Sequence, residues 1–105
     1  MTKVIYKKKY KNSFEIIRII GHSNFSTKGK DIICAGISSI VEGSCSFLRK
    51  KYNFLISIEM KEAEVVFTPL NFDHEVNLCL EMMIYQLSNI ESFYPNYLKI
   101  KNISK

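Results

Sequence analysis

The sequence predicts an α+β domain: an antiparallel sheet of four to five strands with two helices on it, in the order ββαββα(β). Two observations carry this. Short runs rich in β-branched or alternating apolar residues come in pairs joined by turn signals. Each pair is followed by a stretch whose apolar residues recur at three and four. The 105 residues suit a single domain over 1–105 rather than two, and no internal repeat, linker or low-complexity tract divides them.

Residues 3–10 read as a strand with Val4, Tyr6 and Tyr10 on one face. Lys11-Asn12-Ser13 signals a turn, and FEIIRIIG at 14–21 completes a hairpin with its β-branched isoleucines. Residues 22–30 are polar, contain Gly29 and read as a loop. A helix opens at Asp31, a good N-cap type, and runs to about Arg49 with Ile33, Ile37, Ile40, Ser44 and Phe47 on one face. Residues 53–60 alternate Phe54, Ile56, Ile58 and Met60 against Leu55, Ser57 and Glu59. A Lys61-Glu62 turn leads to a strand at 63–68, which Pro69 stops. Asn71 or Asp73 caps a second helix, on which Val76, Leu80, Met83, Leu87, Ile90 and Tyr94 repeat at helical spacing until Pro95. Residues 97–101 form a short last strand.

Composition narrows the function classes. Hydrophobic residues make up 47% and charged residues 24%, as in soluble globular proteins. No apolar run approaches the roughly 18 residues that a membrane span needs. The stretch MTKVIYKKKYKN has no apolar core or cleavage site of a secretory signal, so a cytoplasmic location is expected. Cys34, Cys45 and Cys79 are odd in number and widely spaced, which suits reduced thiols. None lies in a CxxC, and their spacings to His22 and His74 match no common zinc pattern, so neither metal nor cofactor is expected.

The net charge of +5 favours an anionic partner. Lys3, Lys7, Lys8, Lys9 and Lys11 crowd the first strand, and Arg49, Lys50 and Lys51 close the first helix. Lysines that blunt an edge strand and cations that complement a helix dipole account for both clusters. An RNA-binding patch is the other reading.

The stretch GHSNFSTKGKDIIC, residues 21–34, carries the most specific chemistry. Gly21 and Gly29 bracket its polar loop, where glycine permits backbone angles that other residues avoid. Cys34 falls three residues after Asp31, in the first helical turn, where N–H groups and the positive end of the dipole stabilise a thiolate. Those groups can also hold an oxyanion on a substrate carbonyl. His22 at the end of the second strand is a histidine that a folded loop can bring to the thiol as a base. On spacing alone the structural reading, a strand-end histidine and a buried thiol, outweighs the catalytic one. Asp31 orders the turn as a cap, yet its charge would oppose a thiolate if aimed at the sulfur. Ser38, one turn after Cys34, either donates a hydrogen bond to the site or bonds back to a carbonyl. Cys45 and Cys79, in mid-helix, read as small buried hydrophobes, and His74 as a surface histidine. Gly36 and Gly43 share a helix face and each costs about 1 kcal/mol, which points to close approach of the helix to the sheet or to a partner helix.

The string GHSNFSTKGKDIICAGISSIVEGS resembles the signature of the ribosomal-processing cysteine protease family, Prp. That family shows a GHA-type start, a glycine-containing loop and then D-[IV]-[VI]-C-A-[AG]-x-S leading into a helix. Gly21-His22, Gly29, Asp31, Cys34-Ala35-Gly36 and Ser38 match it, while Ser23 and Asn24 replace the small residues common after the histidine. The likeness implies a small cytoplasmic endopeptidase that removes the N-terminal extension of large-subunit ribosomal protein twenty-seven. It implies His22 as base, Cys34 as nucleophile, and backbone N–H groups around Cys34 and Ala35 for the oxyanion. Asp31 and Ser38 take supporting places, with Gly21 and Gly29 as hinges of a loop that rearranges around substrate. It also implies a homodimer, and contact with ribosomal RNA is one use of the basic surface. The contrasting expectation is a non-catalytic ribosome- or RNA-associated binding module using Lys3, Lys7, Lys9 and residues 49–51.

Overall fold

The computed structural model describes residues 1–21 and 32–104. Its elements are β1 (Thr2–Tyr10), β2 (Ser13–Ile20), α1 (Ile32–Tyr52), β3 (Ile56–Lys61), β4 (Glu64–Pro69), α2 (His74–Phe93) and β5 (Leu98–Asn102). The ββαββαβ order is the one that the sequence predicts. The five strands form one sheet in the order β3-β4-β2-β1-β5.

The sheet is mixed rather than wholly antiparallel. Three pairings are antiparallel, but β5 runs parallel to β1, with Thr2 opposite Leu98 and Val4 opposite Ile100. The cause is α2: a helix returns the chain to the end of the sheet where the preceding strand began, so the next strand repeats that strand's direction. This placement also corrects the reading of β1 as an edge. The edges are β3 and β5, and on β5 the exposed Lys99 and Lys101 do the blunting.

Both helices lie on one face of the sheet and share its core. Val4, Ile17, Ile19, Val65, Phe67 and Leu98 project from the strands. Ile37, Val41, Cys45 and Leu48 meet them from α1, and Val76, Leu80, Met83 and Leu87 from α2. The α2 pattern is the one that the sequence shows. On α1 the fully buried row is turned from the expected one: Val41, Cys45 and Leu48 are inside, Ile40 and Ser44 are half-buried, and Phe47 is 46% exposed. The helix must seat against α2 as well as the sheet, so its apolar stripe is wider than the buried row.

Three local boundaries also differ. α1 continues to Tyr52, because Arg49, Lys50 and Lys51 occupy its last turn and complement its dipole. Phe54 therefore falls in the connection and is 86% exposed. The β3–β4 turn is Glu62-Ala63, with Lys61 paired to Glu64 and Ala63 at φ 70°. Register shifts after Lys7 and Lys8 twist Tyr10 away from the row of Val4 and Tyr6, leaving it 72% exposed. Finally, α1 is long and apolar enough to count as a candidate membrane span by length and composition, which the search for apolar runs did not anticipate. Its apolar character includes the four core residues, and Glu42, Arg49, Lys50 and Lys51 stand on the same helix.

Candidate active site

In sequence, the end of β2 and the start of α1 flank residues 22–31, which lie outside the described residues. His22, Gly29 and Asp31 are therefore not placed, and neither is the loop between them.

Gly21 follows β2 directly with φ +94°, a conformation costly to any residue with a Cβ. Its N–H donates to the Ala63 carbonyl at 2.7 Å. A Cβ at this position would stand 3.0 Å from the Met1 carbonyl oxygen. Glycine is required twice over, by the angle and by the space. The β3–β4 turn and the N-terminus thus anchor the point from which the chain leaves toward His22. Nothing in the sequence marks Ala63 or Met1 as partners of this glycine, because both contacts are long-range.

Cys34 is the third residue of α1, partly buried and packed against the core. It sits in the first turn, where the helix directs N–H groups and the positive end of its dipole. No acidic residue of α1 lies in that turn, so the helix itself brings no charge opposing a thiolate there. The other two cysteines differ. Cys45 is 2% exposed, and burial pushes its thiol up to about 11 despite the opposing Arg49 guanidinium. Burial raises the Cys79 thiol as well, with the Glu75 carboxylate adding to the shift. Both are free thiols held in the protonated form at neutral pH, which matches their reading as small hydrophobes.

Ser38 follows neither expected course. Its hydroxyl donates to Glu42 Oε2 at 2.8 Å, one turn further along the exposed side of the helix. That proton is committed away from Cys34. Ala35 is exposed beside the thiol. Gly36 faces α2, and a Cβ there would meet Ile90 Cδ1 at 3.7 Å, an ordinary contact. Gly43 has nothing within 4 Å of a Cβ, so among the described residues close approach explains neither glycine. His74 is exposed at the start of α2. Among the described residues no three His, Cys, Asp or Glu side chains gather as a metal site.

The chain that carries this helix-start thiol and this glycine-anchored strand end has known relatives. The family model described as Cysteine protease Prp matches residues 1–99. The chain belongs to the Prp cysteine protease family. The Ribosomal processing cysteine protease Prp of Bacillus subtilis is 30% identical over 95 residues, covering 84% of this chain and 82% of its own. The protein of the same name from Mycoplasma genitalium is 31% identical over 88 residues, 80% of this chain and 84% of its own. The fold matches the crystal structure of the S. aureus ribosomal processing protease Prp with a covalently linked product peptide. That match has a TM-score of 0.85 and 21% identity, over 97% of this chain and 99% of that one. As a Prp-family member the chain is a cysteine protease. Of its three thiols, Cys34 is the one in a first helical turn, while burial raises the thiols of Cys45 and Cys79.

Proposed function

We propose that this protease is a cytoplasmic endopeptidase that removes the N-terminal extension of large-subunit ribosomal protein twenty-seven, using Cys34 as nucleophile and His22 as base. The observation that carries the reading is Cys34 in the first turn of α1, set against two thiols that burial keeps protonated. The ribosomal-processing names of the Bacillus and Mycoplasma relatives support the substrate class.

His22 takes the Cys34 proton and the sulfur attacks the scissile carbonyl carbon, forming a C–S bond and an oxyanion. Backbone N–H groups around Cys34 and Ala35 hold that oxyanion. Its collapse breaks the C–N bond, and His22 passes the proton to the leaving amine. Water, deprotonated by His22, then attacks the thioester, releasing the carboxylate and regenerating the thiol. Asp31 supports the helix start. Ser38, donating to Glu42, contributes at most an acceptor oxygen.

The same reading has two chains working as a homodimer. A groove of about 530 Å³ between α1 and α2, lined by residues such as Ile40, Gly43, Phe47, Leu78 and Met82 and by no charged side chain, supports such pairing. Two molecules of net charge +5 meet there without opposing lysines. Contact with ribosomal RNA belongs to this reading too, since the substrate is a ribosomal component.

Mass spectrometry of the extended ribosomal protein, incubated with parent, Cys34→Ala and His22→Ala proteins, tests the assignment. Both variants are expected to leave the extension intact while melting like the parent. Cleavage at the parent rate by either variant overturns it.

A further inference from the structure

We infer that the β1–β5 half of the open sheet face is a binding site for the phosphate backbone of RNA. With both helices on one side of the sheet, the other side carries no covering element among the described residues. Register places its side chains in rows. One row runs Lys99, Lys3, Ile20, Glu64, Lys61 from β5 to β3, and the next runs Lys101, Ile5, Arg18, Val66, Glu59.

The two halves of this face handle charge differently. Toward β3, Arg18 Nε donates to Glu64 Oε2 at 2.6 Å, and Lys61 stands opposite the same glutamate. Further along β1, Lys7 is met by Glu15 at 3.8 Å. Toward β5, Lys3, Lys99 and Lys101 are all exposed, and no carboxylate pairs with them among the described residues. Lys3 and Lys99 are direct register partners. Like charges in that position repel and cost stability. Edge protection explains lysines on β5, but it asks for none on the interior strand β1.

Three cations are thus held on a rigid surface, about 4.8 Å apart between strands and about 7 Å apart along β5. The apolar residues between them, Ile5 and Ile20, are half-buried and carry no aromatic ring. A face of this kind offers no stacking platform for unpaired bases and no wedge for a membrane, but it can neutralise a run of phosphates. The acids of this face, Glu64 and Glu59, lie toward β3, and α2 on the other face carries Glu75, Glu81 and Glu91 and no lysine or arginine, which orients the β1–β5 half toward a polyanion. The identity of the polyanion as RNA rests on the ribosome-directed function proposed above. The site itself rests on charge and register, and it is separate from Cys34.

The experiment is fluorescence anisotropy with a labelled RNA duplex, titrated with the full chain between 50 and 200 mM salt. Three phosphate contacts predict that log K falls with log salt at a slope of about −2.7. Lys3→Gln/Lys99→Gln/Lys101→Gln is expected to flatten that slope and weaken binding about tenfold at low salt. It should leave peptide cleavage and melting at parental values. Lys50→Gln/Lys51→Gln, which removes cations at the end of α1, should bind nearly as the parent does. Unchanged affinity in the triple variant, or an equal loss in the helix variant, overturns the site. Binding to phosphatidylserine vesicles or to an acidic peptide but not to the duplex overturns RNA as the ligand. A chain that binds the duplex yet leaves the extended ribosomal protein uncut would refute the substrate reading and not this one.

Discussion

The two helices lie side by side on the same sheet and obey different rules. α2 is capped, packed and stopped as a structural helix is. Asp73 caps it, accepting from the Val76 N–H at 3.0 Å, Val76, Leu80, Met83 and Leu87 form its buried row, and the chain turns away before Pro95. α1 departs from this. It carries Gly36 and Gly43 in its interior and a cysteine, Cys34, in its first turn. The difference teaches where to look for function: a helix that departs from what stability asks has another demand on it.

The sharpest way to break this contrast is chemical. Iodoacetamide at neutral pH should modify Cys34 faster than Cys79 by at least tenfold, and Cys45 only when the protein unfolds, since the thiolate is the reacting form. Peptide mapping of a timed alkylation reads the order directly. Alkylation of Cys45 in the folded protein at the Cys34 rate would remove the distinction between helix-start and mid-helix thiols. The Cys45 shift also sets a pH dependence. Its folded value of about 11 lies above the ordinary thiol value of about 8.5. Its contribution is therefore complete below that ordinary value and is lost as pH climbs toward 11.

Next in size is the core of α2. Leu80 is 0% exposed, and Leu80→Ala should cost about 3 kcal/mol of unfolding free energy, measured by denaturant titration. Cleavage at permissive temperature should survive, because α2 supplies packing rather than chemistry. Asp73→Ala should cost about 1 kcal/mol by leaving the Val76 N–H without its acceptor. A loss no larger than experimental scatter would mean that water replaces the cap, and the description of α2 as a helix held by its own signals would fail.

Much of this arrangement is legible in the residues themselves, for identifiable reasons. The α2 row, the Pro69 and Pro95 stops and the element order follow from local periodicity and backbone chemistry, which act over a few residues. The parallel β5 and the interior position of β1 do not, because strand order is set by which faces the helices cover. Gly21 shows the boundary well. Its need for a special backbone angle is visible in the sequence, but the Met1 carbonyl and the Ala63 acceptor are distant partners that only folding assembles. At the site, Cys34 at a helix start is readable from Asp31 and the apolar spacing. The engagement of Ser38 with Glu42 is readable only as one of several local options, since a serine at that spacing has a carbonyl and a carboxylate within reach.

The smallest predicted effect bears on the least conventional residue of α1. A Cβ at Gly43 would meet nothing, so within one chain the glycine brings only its backbone entropy. Gly43→Ala should therefore stabilise the protein by about 0.5–1 kcal/mol, read by denaturant unfolding at a concentration low enough to keep chains apart. Cleavage of the extended ribosomal protein by single chains should not change, because Gly43 lies in the groove with Phe47 and Met82, nine residues along the helix from Cys34. If the glycine serves the pairing of two chains, the same variant should weaken self-association in sedimentation equilibrium while its monomer becomes more stable. These opposite signs distinguish a residue kept for a partner from one kept for the fold. A Gly43→Ala protein that unfolds more easily than the parent would show that the helix interior is constrained in a way that its open surroundings do not reveal, and the contrast between the two helices would lose its clearest case.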